Sequence, residues 1–360
     1  MYRFLIGLSK PPSPLIHKRG FRSFSCSGPF LRLGSTVNED LPDVIMFDAA
    51  KEELLNVPDT RLPQELSDSR LIGTSHGWGF FSNLCDRSLC ISDYLNPLSS
   101  TSNPKVISLP PLTSLYTCQT QVLCNVAMSS SPCDHEDWVV ALKFLGRQLS
   151  LCRPNRDLRW TNILTPFTFL ENSNLMYSKR DHKFYLPAPG SNHLCSLDLQ
   201  FKKDHNPKFH KFLYHNRPKL SQREHELLSS CSKAEHWVES PSGERFLVKC
   251  YSYFSQFLDR VPVFMVFREE ETTEKGTIMC YTEDIGDVCI FISGTDPFCV
   301  EASLCPGLVP NSIYIMESIF GVYDLATRSI RHFEDQVEWP PKPEEVEFAF
   351  LPYWLPPISI

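Results

Sequence analysis

Val44-Ile45-Met46-Phe47-Asp48 is followed, across a short polar link, by Leu54-Leu55-Asn56-Val57. Both runs have strand length, and an Asp at the end of the first suits a tight turn, because its carboxylate can accept hydrogen bonds from the amides ahead of it. The pattern recurs along the chain. Leu89-Cys90-Ile91-Ser92-Asp93 precedes Val106-Ile107-Ser108-Leu109, and Leu194-Cys195-Ser196-Leu197-Asp198 precedes, after a longer loop, Phe209-His210-Lys211-Phe212-Leu213. Gly321-Val322-Tyr323-Asp324 precedes Ile330-Arg331-His332-Phe333. Asp48 to Asp93 is 45 residues, and Asp48 to Asp324 is 276, close to six such units. A period of about 40–50 residues with several strands in each unit predicts propeller blades. The expected fold is all-β: a single β-propeller of six or seven blades over residues 41–357, closed by a strand near Val44–Phe47 meeting strands near Val322–Phe333.

Other hairpin-like runs fill the gaps. Trp138–Phe144 turns through Gly146 into Gln148–Cys152, and Trp237-Val238-Glu239 turns through Pro241-Ser242-Gly243 into Phe246–Tyr251. Val263–Phe267 and Thr277–Tyr281 flank what reads as an acidic loop containing Glu269, Glu270, Glu271 and Glu274. One helix is predicted, opening at the capping box Ser221-Gln222-Arg223-Glu224 and running through Leu227, Leu228 and Cys231, as a short insertion between blades. Composition agrees with few helices. The 360 residues include 29 Pro and only nine Ala, and Ala is the best helix former and Pro the worst. With only 15 Gly, a Gly-rich phosphate-binding fold is also disfavoured.

The charge is unevenly placed. Residues 1–38 carry Arg3, Lys10, Lys18, Arg19, Arg22 and Arg32 and no acid; the remainder holds 29 basic against 42 acidic residues, a net of −13. A body of that charge repels a phosphate backbone, so no nucleic-acid partner is expected. The arm is rich in Arg, Lys and Ser without a secretory apolar core, which is the composition of an organellar transit peptide. Arg22-Ser23-Phe24-Ser25 resembles the Arg-x-Phe/Ser cleavage site of plant mitochondrial presequences. Residues 1–24 are therefore expected to be a disordered transit peptide cut before Ser25, residues 25–40 a linker, and the address mitochondrial, with the plastid as the alternative. No run reaches the ~18 apolar residues of a membrane span. The 14 Cys include no Cys-x-x-Cys pair, so zinc and redox motifs are not indicated and buried, reduced thiols are expected.

Several motifs jointly resemble a plant family, domain of unknown function 295. They are Gly73-Thr74-Ser75-His76-Gly77-Trp78, Asn96-Pro97 with Leu109-Pro110-Pro111-Leu112, Trp237–Gly243 with its Gly243, Pro310-Asn311-Ser312-Ile313-Tyr314, the Tyr323-Asp324 strand end, and Pro352-Tyr353-Trp354 with Pro356-Pro357. The resemblance covers about residues 41–357. It implies a kelch-related β-propeller that is often joined to an N-terminal F-box for ubiquitin-ligase assembly, with some members binding a protein kinase. Leu62-Pro63-Gln64-Glu65-Leu66 echoes an F-box opening, but a strand-like, Gly-broken stretch follows it. The chain thus resembles an organelle-directed branch lacking the F-box.

Three constellations could carry chemistry. Gly73-x-Ser75-x-Gly77 fits a hydrolase nucleophile elbow, which needs a helix after the Ser; Trp78-Gly79-Phe80-Phe81 is a poor helix start. His205, His210 and His215 have a five-residue spacing that gathers ligands on neither a helix nor a strand. Asp134-His135-Glu136-Asp137 and Glu269–Glu271 lack the Gly of a calcium loop. No catalytic, cofactor or metal residues are assigned. The expected function is that of a non-catalytic mitochondrial propeller, a monomer without cofactor that binds an unidentified protein. The alternatives are a cytosolic or nuclear F-box-like ubiquitin-ligase receptor and a propeller enzyme with its site in the central channel.

Overall fold

The structure is a computed structural model that describes residues 28–36, 43–58, 62–96, 104–112, 123–133, 137–168, 172–188, 193–198, 207–252, 262–273, 276–317, 319–333, 346–347 and 352–357. Arg22, Phe24, Ser25 and the whole of residues 1–24 lie outside them, as do His205 and Asp134–Glu136.

Sequential antiparallel hairpins build the blades. The first has β1 (Phe30–Thr36), β2 (Asp43–Asp48) and β3 (Glu53–Pro58). The second has β4 (Ser69–Ser75), β5 (Trp78–Asn83), β6 (Leu89–Ser92) and β7 (Val106–Ser108). The third has β8 (Leu123–Met128), β9 (Val140–Phe144), β10 (Gln148–Cys152) and β11 (Thr161–Leu164). The fourth has β12 (Met176–Ser178), β13 (Lys183–Pro187), β14 (His193–Asp198) and β15 (Lys208–Lys211). In the fifth, β16 (Tyr214–His215) lies at the outer edge, parallel to β20 (Gly276–Thr282), beyond β17 (Ser232–Glu239), β18 (Arg245–Ser252) and β19 (Val263–Thr272). The sixth runs in the order β22 (Phe298–Glu301), β21 (Val288–Ser293), β23 (Ser312–Met316), β24 (Phe320–Asp324) and β25 (Ser329–His332), with β21 and β23 parallel. The chain then returns to the first blade, where β26 (Val346–Glu347) and β27 (Tyr353–Leu355) both pair with β1. The fold is a six-bladed β-propeller.

Six apolar clusters fill the six seams between neighbouring blades. Trp78, Phe80 and Val126 belong to the seam of blades two and three; Leu149 and Phe184 to three and four; Tyr185 and Trp237 to four and five. Val248 and Ile290 fill five and six, Phe291, Tyr314 and Phe47 fill six and one, and Met46, Phe81 and Tyr353 fill one and two. A seam at every junction is what closes the ring. Period-2 alternation explains it, since each strand sends successive side chains to opposite blade faces.

The turn logic of the Asp-ended runs is visible. The Asp48 Oδ1 accepts from the Ala50 and Lys51 amides at 3.0 and 3.2 Å, Asp93 from the Lys105 amide at 2.7 Å, and Asp324 from the Thr327 amide at 2.7 Å. The helix, α1 (Gln222–Ser229), carries the expected capping box on Ser221 and Glu224.

Four expectations need correcting. Ring closure does not join Val44–Phe47 to Val322–Phe333 within one sheet; β27 pairs with β1, with Leu31 opposite Trp354, while β24 and β25 belong to the adjacent blade and only pack against β2 across a seam. The first sheet starts at Phe30, inside the stretch read as a linker, because Phe30, Leu31 and Leu33 bury as core residues. Glu269–Glu271 are not in a loop but in β19, paired in register with β20. The helix lies between β16 and β17, both strands of the fifth blade, so it is an insertion within a blade.

Candidate functional site at the centre of the ring

The innermost strands are β27, β4, β8, β12, β17 and β22. An inner strand has one edge without a partner strand, so its backbone groups need other partners. Polar side chains supply some of them from the neighbouring blade. The Met128 amide donates to Ser75 Oγ at 3.1 Å, the Leu175 amide to Asn125 Oδ1 at 2.7 Å, and the Trp354 amide to Ser293 Oγ at 3.3 Å. Asn174 does this twice for the fifth blade, accepting from the Trp237 amide at 2.7 Å and donating through Nδ2 to the Trp237 carbonyl at 3.0 Å. The Glu235 amide also donates to the Asn172 carbonyl at 3.1 Å, so residues 172–174 lie along β17 like a short added edge.

This stitching leaves a central cavity of about 350 Å³. Its walls include Asn125, Asn172, Ser173, Asn174, His236, Ser293, Thr295 and Glu317, with Met316 and Pro352 as apolar surface. His236 occupies the β17 position between Ala234 and Val238 on the face turned to the sixth blade. It is 5% exposed, and neither ring nitrogen has a hydrogen-bond partner among the described residues. Burial, reinforced by the nearby Lys143 ammonium, lowers its pKa to about 4, so the imidazole is neutral at physiological pH. Lys143 is itself fully buried and donates through Nζ to the Ser173 carbonyl at 2.5 Å and to Ser173 Oγ at 3.1 Å. Glu317 is an exposed residue at the cavity, and the desolvation its surroundings impose raises its pKa. Beside the cavity, Asp296 Oδ2 accepts from Ser75 Oγ at 3.1 Å, while its buried Oδ1 has no partner among the described residues; burial pushes this carboxyl up to about 8, with the Ser75 bond opposing. Among the described residues no cluster of His, Cys, Asp and Glu could hold a metal ion.

The sequence motifs fall at turns and seams and, apart from Pro352, are not gathered into the cavity. Gly73 lies at a register shift in β4, where a Cβ would come 2.9 Å from Val126 Cγ2 of the next blade. His76 and Gly77, at φ 52° and 77°, make a strand-to-strand turn, so the Gly73-x-Ser75-x-Gly77 run is a hairpin without the elbow's helix, and Ser75 is buried. Trp78 is core, and Gly243 takes φ 86° in the β17–β18 turn. Asn311, at φ 54°, donates to the Glu283 carbonyl at 3.0 Å and accepts from the Ile285 amide at 2.8 Å, tying the fifth blade to the sixth. Tyr314 stacks on Phe291 at 4.6 Å and accepts at its hydroxyl from the Val309 amide. Asp324 caps its turn, and Trp354 is buried in the closing strand. His210 and His215 sit on strands of different blades. None of the described cysteines forms a disulfide.

The cavity residues His236, Asn172 and Glu317, and Lys143 and Asp296 beside the cavity, had no motif to announce them. The legible signal was polar residues at apolar strand positions: Lys143 within Val139–Phe144 and His236 within Ala234–Val238.

No curated protein matches the chain. Among solved structures, a member of the duf4221 family from Bacteroides vulgatus is similar with a TM-score of 0.37 at 9% identity, over 78% of this chain and 90% of that one. YCF48 bound to D1 peptide is similar with a TM-score of 0.31 at 7% identity, over 70% and 83%. A candidate 6-phosphogluconolactonase from Bacteroides uniformis is similar with a TM-score of 0.35 at 10% identity, over 91% and 98%. At these scores none of the three bears on activity or partner. The KIB1-4 beta-propeller family matches residues 46–334, in keeping with the six-bladed ring, and the chain belongs to that family.

Proposed function

We propose that this chain is a non-catalytic propeller that works in mitochondria by binding another protein. The observation that carries the reading is the use made of the inner-ring polar side chains. Ser75, Asn125, Asn174 and Ser293 each bond to the backbone of another blade or of the connection between blades. Such side chains hold a frame rigid, and a rigid ring presenting loops at its rims is a surface for recognising a partner. Leu84, Leu158 and Leu304, at 65%, 90% and 64% exposure, offer apolar contacts on such loops. The mitochondrial address rests on the acid-free basic arm. A positive charge gains roughly 2.3 kcal/mol per 100 mV of a negative-inside potential, so several charges give a strong inward bias. In this reading Arg22 directs cleavage between Phe24 and Ser25, and the chain stands in the organelle-directed branch of the domain of unknown function 295 proteins, without an F-box.

Residues 1–40 fused to a fluorescent protein test the address: mitochondrial signal is expected, and exclusively cytosolic or plastid signal overturns it. N-terminal sequencing of the imported form should begin at Ser25. Co-purification of the full chain with a ubiquitin-ligase adaptor would replace the reading with that of a ligase receptor.

A further inference from the structure

We propose that Lys249 is an acylation site, whose amine takes an acyl group from a thioester where aromatic rings of the fifth blade meet the seam with the fourth. This goes beyond the partner-binding reading and does not depend on it.

The first argument is the setting of the amine. Lys249 stands on β18 opposite Glu235 of β17 and Met265 of β19. Its Nζ lies 4.7 Å from the centre of the Tyr214 ring and 5.3 Å from that of Phe267, and those two rings meet edge to face at 4.9 Å. Both rings belong to the apolar seam of blades four and five. Among the described residues no hydrogen bond or ion pair holds the amine, and Lys249 is only half-buried, so Nζ keeps contact with the surface. Lys143, by contrast, is fully buried and bonded to Ser173.

The second argument is charge. Apolar neighbours solvate an ammonium poorly, so burial favours the neutral amine, and the ring faces return only part of the lost hydration. Burial is the main influence on Lys249; Glu235 opposes it, Arg217 and Lys233 reinforce it, and the pKa falls to about 8. The Tyr214 and Tyr251 phenols beside these groups are raised by burial and stay neutral. At pH 8 about half of the Lys249 amines are therefore neutral, where an ordinary lysine, near 10.4, has under about 1%. Desolvation of this kind is one way a lysine amine becomes a nucleophile.

The third argument is the reaction. The neutral nitrogen attacks the thioester carbonyl carbon. A C–N bond forms, the C–S bond breaks, and the proton the nitrogen loses passes through water to the departing thiolate. The product is an uncharged amide, which suits a ring-lined site better than the ammonium does. Arg217 and Lys233 are exposed and near the amine, and their charges favour a thioester on an anionic carrier.

The test incubates the full chain with acetyl-coenzyme A from about pH 6.5 to 9.5 and follows each lysine by mass spectrometry of its peptides. At pH 8 Lys249 should be acetylated at least about fivefold faster than the exposed Lys233, because a less basic nitrogen forfeits part of its gain in nucleophilicity. The rate at Lys249 should level off above about pH 8, while that at Lys233 keeps rising. Glu235→Gln removes the carboxylate that favours the ammonium and should speed Lys249 several-fold at pH 7. Arg217→Ala, at an exposed position, should slow it, and serves in case Glu235→Gln does not fold. Equal rates at Lys249 and Lys233, a Lys249 rate that climbs in parallel with Lys233 throughout, or a rate that no folded variant alters would overturn the proposal.

Discussion

Replacing Trp354 separates two things its side chain does, and the structure assigns them opposite signs. The indole is 1% exposed in the strand that closes the ring. It meets Phe291 edge-on at 5.1 Å, Tyr314 at 6.2 Å and Phe47 at 6.5 Å, so it joins the last strand to both the first and sixth blades. Truncation to Ala removes that packing and leaves a void, which for a buried Trp costs about 3–5 kcal/mol. Yet Nε1 is buried without a hydrogen-bond partner among the described residues. Trp354→Phe keeps one ring against Phe291 and removes an unsatisfied N–H, and relief of that group is worth about 1–3 kcal/mol. The relief offsets most of the lost ring volume. Urea unfolding should therefore show Trp354→Ala losing about 3–5 kcal/mol and Trp354→Phe losing under about 1 kcal/mol, both with an unchanged m-value. Equal losses in the two variants would refute the reasoning, because they would mean that the indole N–H is bonded.

Arg245 is the charged counterpart of that seam logic. It is 7% exposed and bonds Glu269 through Nε at 2.5 Å and Asp181 through Nη1 at 2.5 Å. The partners titrate in opposite directions: for Asp181, burial is outweighed by the Tyr185 and Arg245 bonds and the pKa falls, whereas for the more buried Glu269, burial wins and it rises. Arg245→Met should cost about 3–5 kcal/mol by stranding Glu269, and adding Glu269→Gln should recover part of it; a loss under about 1 kcal/mol would make the pair no more than a surface bridge. Asp296 sets a pH dependence. Its folded pKa of about 8 exceeds the ordinary 3.8, so the folded state holds the extra proton, and stability falls as pH rises between those values, by at most ~1.4 kcal/mol per unit. Asp296→Asn should flatten that slope in urea melts from pH 4.5 to 8, and an unaltered slope would assign it to another group. Gly307→Ala should destabilise by about 1–3 kcal/mol, since Gly307 has φ 110° and a Cβ there would sit 2.1 Å from the Ala50 carbonyl oxygen; a neutral result in the same melts would refute that contact.

Much of the blade pattern could be read from hairpins whose partners are close in sequence. Asp48, Asp93, Asp198 and Asp324 all end a strand that turns to the outermost or a neighbouring strand, because local turn chemistry and period-2 alternation are written within a few residues. What failed was non-local. Tyr353-Trp354-Leu355 is three residues between prolines, and its partner β1 lies more than 300 positions earlier. Nothing nearby marks it as a strand. Phe30–Thr36 was hidden by its basic neighbours, since Arg32 reads as part of a targeting arm although it is buried and reaches the Leu95 carbonyl. Glu269 reads as a solvated turn because its neutralising Arg245 comes from another strand of the sheet. The cavity was illegible for the same reason: its polar groups come one to three at a time from different blades, and only ring closure places them around one space.

Quantitative proximity labelling with the full chain, alongside a chain ended before Tyr353, tests whether the closed ring is what binds a partner in mitochondria. The intact chain should label a small, reproducible set of mitochondrial proteins, and the variant without its closing strand should lose that set at equal abundance. The same set from both chains, or labelling confined to the cytosol, would contradict the account.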